Sequence, residues 1–324
     1  LSVRALAVGC LLFVGTIQYF FGYIEVYAPM PVFLLAFSWT GWRSLAREGS
    51  LWWPTLLLLC GVFMHVMMAA CIPAWIYLCH VQLQAKYPRL RCASRYLIAL
   101  TIAAFLGARY ALGLIASLHV PWLPLFSDAE QPYAVFSTMH LWEWVNAQVL
   151  GAPAAWPLLI LCGLAICKKR RRPNTYGIFL ILSAGTQLYG SLTLNFMLGS
   201  RDWDLKCFAG ISVTLVAVYG VARLVGSENY PGLRRYLLAW GVAFSALNTS
   251  PWVYINHTDR SVELLDRWLN DDPAPFYLTY PPELVQGMLY TEARLTNKAL
   301  AEFEQGMSRH PEDARILYNA AVLC

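Results

Sequence analysis

Charge is scarce in this chain. Asp, Glu, Lys and Arg make up 13% of its 324 residues while 58% are hydrophobic, against about 25% charged in an ordinary soluble domain. The deficit is uneven. Residues 1–255 hold long apolar runs broken by short polar loops and carry 18 Lys/Arg against 8 Asp/Glu. Residues 256–324 carry 6 against 11. A basic, apolar part at net +10 and an acidic tail at net −5 are expected to face different environments. Several motifs are missing too. No phosphate-binding Gly-rich loop, dinucleotide fingerprint, Gly-x-Ser-x-Gly elbow or His-Glu-x-x-His is present, so ATP-driven transport and zinc proteolysis lose support. The 9 cysteines form no Cys-x-x-Cys pair, and most lie inside apolar runs as small hydrophobes. No signal-peptide layout with a cleavage site is present, so the first apolar run reads as a spanning helix. The chain starts at Leu1 and stops at Cys324 in the middle of a repeat, and it reads as a fragment cut at both ends.

A membrane-spanning helix needs roughly 20 mainly apolar residues. The stretches 4–22, 26–42, 96–118, 145–167, 175–197, 206–225 and 236–252 are the candidates. The stretch 51–80, with Pro73 in its C-terminal half, is long for one helix and short for two. Read as a hairpin of two short helices turning near His65, it brings the total to about nine spans. Lys and Arg in short loops set orientation. The run Lys168, Lys169, Arg170, Arg171, Arg172 is the strongest signal and makes its loop cytoplasmic; anionic lipid also explains it, so nucleic-acid binding is not indicated. Loop 81–95 is then cytoplasmic as well. Loop 119–144, which has no Lys or Arg, and loop 198–205 lie outside, and the tail falls outside with them. The hairpin puts Arg43 and Arg47 on the cytoplasmic side and Glu25 on the outer one.

The expected fold is all-α. A polytopic transmembrane helical bundle occupies residues 1–255. A soluble extracytoplasmic α-helical hairpin region of the tetratricopeptide (TPR) type follows over 256–324. Anchoring a repeat of about 34 residues on Pro311 puts Gly287, Tyr290, Ala299, Phe303 and Gly306 at its small and aromatic signature positions. Leu317, Ala320 and Ala321 begin the next repeat. Upstream, Ser261–Pro273 resembles the second helix of a preceding one, although its proline lies further from Pro311 than one repeat length. Such a repeat offers a docking groove for a protein partner.

Ionisable groups are costly inside a bilayer and are functional candidates there. Arg109, near the outer end of the span over 96–118, has the fork that binds a lipid phosphate, or it snorkels to the interface. Glu25 lies in Phe21-Gly-Tyr-Ile-Glu-Val-Tyr27, where a carboxylate suits a base, a metal contact or a sugar hydroxyl. His65 stands at the proposed hairpin turn. His140, Glu143 and Asn146 recur at spacings of three before a span, and are expected on one helical face. The densest cluster is Arg201-Asp-Trp-Asp204. Asp202 and Asp204 have a spacing able to hold a divalent cation such as Mg or Mn against phosphates, and Arg201 suits a phosphate or one of the carboxylates. Asn195 lies one turn earlier. A capped turn with an ion pair is the plain alternative.

The order Phe21-Gly-Tyr-Ile-Glu25-x-Tyr27, then a short hairpin with a polar turn residue, then many spans, resembles the C-type (GT-C) superfamily of membrane glycosyltransferases. It is especially similar to bacterial relatives that carry Arg-Asp-Trp-Asp-Leu, here Arg201–Leu205, and end in TPR repeats. The resemblance covers nearly the whole chain. It implies a transferase in the bacterial inner membrane that uses a polyprenyl-phosphate-linked sugar at the extracytoplasmic face. It also implies an acidic base or metal contact in a first outer loop, which would precede Leu1. Glu25 would match a later outer position, and Arg109 would contact the lipid phosphate. The alternatives are a non-catalytic membrane-anchored TPR scaffold for envelope or polysaccharide assembly, a transporter, and an O-antigen polymerase- or ligase-like enzyme.

Overall fold

The computed structural model describes residues 2–14, 29–47, 49–87, 123–126, 134–169, 173–194, 207–224, 231–255 and 281–323. Among them the chain is all-α and has no strand. It divides into two compact units, Leu1–Leu194 with Trp203–Thr249, and Asn195–Asp202 with Ser250–Cys324.

In the first unit, α1 (Val3–Leu12) starts at Ser2, whose hydroxyl accepts the Ala5 N–H. Next come α2 (Pro29–Arg47) and α3 (Trp52–Met64). At His65 the chain turns extended and enters a 3₁₀ segment, Val66–Cys71, before α4 (Ile72–Lys86), which has Pro73 in its first turn. The stretch 51–80 therefore doubles back. Trp75 Nε1 donates to Thr55 Oγ1 at 2.8 Å, and Gln82 Nε2 donates to Gly49 O at 2.5 Å. The two ends of the hairpin are thus bonded to each other.

The candidate span 145–167 is not one helix. The chain makes α5 (Thr138–Gly151) and α6 (Ala155–Lys169), which meet at 96°. Pro153 is the cause. Its ring disfavours helical dihedrals at the preceding residue, and Ala152 sits at φ −144°, ψ 62°. A side chain at Gly210 would come within 2.8 Å of Gly151 O, so only glycine lets the following layer close on the bend. The remaining elements are α7 (Thr175–Thr193), a 3₁₀ turn Cys207–Ala209, α8 (Gly210–Leu224) and α9 (Pro231–Ile255). Asn174 caps α7 by accepting the Gly177 N–H. Leu158 and Cys162 of α6 pack with Val213, Ala217 and Val221 of α8, Leu6 and Cys10 of α1 and Leu238 of α9.

No single described helix is long and apolar enough to cross a membrane, although the bent pair α5 and α6 reaches the necessary length and composition together. The reason is visible in the helices that correspond to expected spans. α3 and α8 are apolar but have 13 and 15 residues. α2 and α7 have 19 residues but carry polar side chains along their length. The expected span 96–118, and residues 15–22 of the expected span 4–22, lie outside the described residues.

In the second unit, α10 (Pro282–Glu292), α11 (Thr296–Arg309) and α12 (Ala314–Leu323) follow one another. The turn after α10 is closed by Leu295 N–H donating to Tyr290 O, with Arg294 in the left-handed region at φ 59°. Phe303 and Ala299 are fully buried with Leu284, Tyr290, Ile316 and Ala320. A Cβ on Gly287 would lie 2.3 Å from Phe303 Cε1, so the ring occupies the space a side chain would need. Glu283 is buried and ion-paired to Arg309 at 2.5 Å.

Two outcomes follow for this unit. Gly287→Ala forces Phe303 off its site and destabilises α10 and α11 by about 1–3 kcal/mol, read as lost amide-exchange protection in the full chain. Asp313 accepts from the Arg315 side chain and backbone N–H, which hold its carboxyl down at about 2. Its contribution is complete above the ordinary carboxylate range near pH 4 and fades as pH falls through about 2. Protection of α12 amides should decline over that interval, and Asp313→Asn should remove the dependence.

Candidate functional site

The polar side chains of the first unit converge on one face of α7. Ser183, Gln187 and Ser191 stand at successive spacings of four, which aligns them along the helix. All three are fully buried. On α5, His140, Trp144 and Gln148 repeat the same spacing and meet them. His140 Nε2 lies 2.8 Å from Leu192 O, Trp144 Nε1 donates to Ser191 Oγ at 2.9 Å, and Gln148 Nε2 donates to the same oxygen at 3.4 Å. Further along α7, Gln187 Nε2 reaches Ser183 Oγ at 3.0 Å, Ser212 Oγ of α8 at 2.9 Å and Cys71 Sγ at 3.3 Å. Thr186 Oγ1 donates to Ala70 O at 2.5 Å. A continuous polar seam thus ties α5, α7, α8 and the 3₁₀ segment after His65 into one body. Gln187 Oε1 is buried in it with no donor among the described residues.

His140 is held by this seam. A carbonyl oxygen only accepts, so the proton must sit on His140 Nε2. That nitrogen is not available to a metal. Glu143 is half-buried and Asn146 exposed, whereas His140 is fully buried. Steps of three residues fall about 60° short of a full turn each time, so Asn146 has rotated well away from His140. The three do not form one polar face, and the spacing of four through Trp144 and Gln148 is the one that does.

His65 caps the 3₁₀ segment, its Nδ1 accepting the Met67 N–H at 3.2 Å. It lies on the hairpin, half-buried, in a bond that fixes the turn. Glu25, Arg109, Asn195, Arg201, Asp202 and Asp204 lie outside the described residues. Among the described residues no group of three or more His, Cys, Asp or Glu is placed to hold a metal ion.

Ser183, Gln187, Ser191, Gln148 and Ser212 carry no charge, so ionisable character in the sequence singles out only His140 of the seam. Its signal was nonetheless there, as two runs of polar residues at spacings of four inside apolar segments. His140→Phe leaves Leu192 O without its donor in a part-buried position. The expected cost is about 1–3 kcal/mol, measured as a lower unfolding temperature of the full chain in detergent. Comparison with protein-family models, with curated proteins and with solved structures finds no match to this chain.

Proposed function

We propose that the chain is an integral membrane protein of the bacterial inner membrane. In this reading its helical bundle handles a polyprenyl-phosphate-linked sugar at the extracytoplasmic face, as a membrane glycosyltransferase of the C type does, and its tail is a TPR unit on that same side. One observation carries the membrane reading: beside its apolar core the first unit buries polar side chains and exposes large apolar ones. Ser183, Gln187, Ser191 and His140 are fully buried, whereas Phe63, Ile160, Leu164 and Leu247 are between 64 and 92% exposed. In water the exposed apolar surface is costly, and burying the polar groups gains little even when they are bonded. In hydrocarbon the apolar faces meet lipid without that cost, and the polar groups are favoured inside, where they bond one another across helices.

The transferase reading rests on the resemblance. Arg201, Asp202 and Asp204 would supply a guanidinium and two carboxylates within four residues of sequence, and Arg109 a fork for the lipid phosphate. A base such as Glu25 would take the proton of the acceptor hydroxyl. The TPR reading draws support from the tail's packing, in which Gly287 receives Phe303 and the small and aromatic residues of the repeat pattern are the buried ones.

A non-catalytic scaffold is the second reading. It is favoured by His65 and His140, the two candidate histidines, which are both engaged in bonds that hold the fold. The deciding experiment is transfer from radiolabelled polyprenyl-phosphate sugars by the full chain in proteoliposomes. Loss of transfer in Asp202→Asn and Arg109→Ala is the expected result. Absence of transfer from every donor, with the tail still retaining an envelope partner, leaves the scaffold.

A further inference from the structure

The C-terminal half of α2 and the N-terminal half of α3 enclose a groove of about 470 Å³, within the range of about 300–1,000 Å³ found for small-ligand sites. Its residues on α2, Ala36, Trp39, Thr40 and Arg43, fall on one stripe, and Trp53 and Leu57 answer them from α3. The groove is graded. Ala36 and Leu57 line the end away from the α2–α3 connection, and Arg43, Gly49 and Ser50 line the end beside it.

Two features of the polar end point to an anion. The Arg43 guanidinium lies over the Trp39 ring, 5.2 Å from its centroid, and meets no carboxylate among the described residues. None of the described residues that line the groove is acidic. A guanidinium stacked on a ring keeps its N–H edge free for a bidentate phosphate contact. A third feature says where the anion comes from. Trp39, Trp42, Trp52 and Trp53 cluster at this same end of the helix pair and are 44–65% exposed. Exposed tryptophans beside arginines at the ends of apolar helices mark the headgroup level of a bilayer. Towards the other end α2 exposes Val32 and α3 exposes Leu59 and Phe63, a surface suited to acyl chains.

We infer that this groove holds one anionic glycerophospholipid at the cytoplasmic interface, with its phosphate on Arg43 and an acyl chain lying between Ala36 and Leu57. The inference rests on the membrane reading but not on the transferase reading. The site is distinct from the proposed outer-face chemistry, and its role is to seat the α2–α3 pair in the leaflet.

The test uses the full chain in detergent, with native mass spectrometry of retained dioleoyl phosphatidylglycerol against dioleoyl phosphatidylcholine, and flotation with vesicles of each composition. The wild type is expected to retain phosphatidylglycerol roughly tenfold better, because the choline cation of phosphatidylcholine offsets the phosphate charge that Arg43 meets. Arg43→Gln is expected to bring the two lipids to parity. Ala36→Trp, which fills the apolar end without touching the charge, is expected to reduce retention of both, while flotation of either variant is unchanged. An unaltered preference in Arg43→Gln overturns the inference, as does retention of free polyprenyl phosphate in place of phosphatidylglycerol, or a self-association that Ala36→Trp abolishes. A wild type that floats with both vesicles and prefers neither lipid overturns this site alone. A wild type that floats with neither overturns the membrane reading beneath it.

Discussion

The first unit depends on one requirement: the polar groups of α7 must be satisfied inside the protein. Ser183, Gln187 and Ser191 lie on a buried face of that helix. Each unpaired group there would cost on the order of 1–3 kcal/mol. The neighbouring elements supply partners to all of these groups but Gln187 Oε1, which has no donor among the described residues. α5 brings His140, Trp144 and Gln148 against one end, α8 brings Ser212, and the 3₁₀ segment brings Cys71 and the Ala70 carbonyl. Hydrogen bonds are directional, so the seam fixes the rotation of each helix about its axis. Apolar contacts between Leu, Ala and Val side chains constrain that rotation much less.

The tail is organised by the opposite principle. Its order comes from shape, with Phe303 seated where Gly287 has no side chain and Ala299 and Ile316 closing around it. The one buried charge among its described residues, Glu283, has a fixed partner in Arg309. Because each step is local in sequence, the residues buried in its described helices are ones that spacing alone singles out. Glycine, aromatic and alanine positions a few residues apart on two successive helices leave few ways to pack.

The first unit was readable in outline and not in detail. Apolar runs announced most of its helices, and Pro73 with His65 announced the turn between α3 and α4. Pro153 was the decisive residue that length alone passed over. A run of apolar residues from 145 to 167 is long enough for a span, yet one ring at Pro153 converts it to two helices at 96°. The seam escaped for a different reason. Charge is conspicuous in an apolar segment, whereas serine and glutamine blend into helix composition and declare themselves only through their partners. Those partners lie 25 to 116 residues away along the chain, beyond the reach of any local pattern. Residues singled out for their charge, such as Asp202 and Arg109, lie outside the described residues, so the geometry bears on His65, His140, Glu143 and Asn146 alone.

The bond between Gln82 and Gly49 has a consequence for how this architecture can vary. The chain leaves at Gly49, forms α3, the 3₁₀ segment and α4, and the Gln82 side chain reaches back to Gly49 O at 2.5 Å. At the far end Cys71 and the Ala70 carbonyl are bonded to α7. The hairpin is thus pinned at its base and at its tip. A residue inserted into α3 or α4 would break one of the two attachments, since neither can slide without the other. Its sequence is therefore free to change in composition on the exposed faces but not in length.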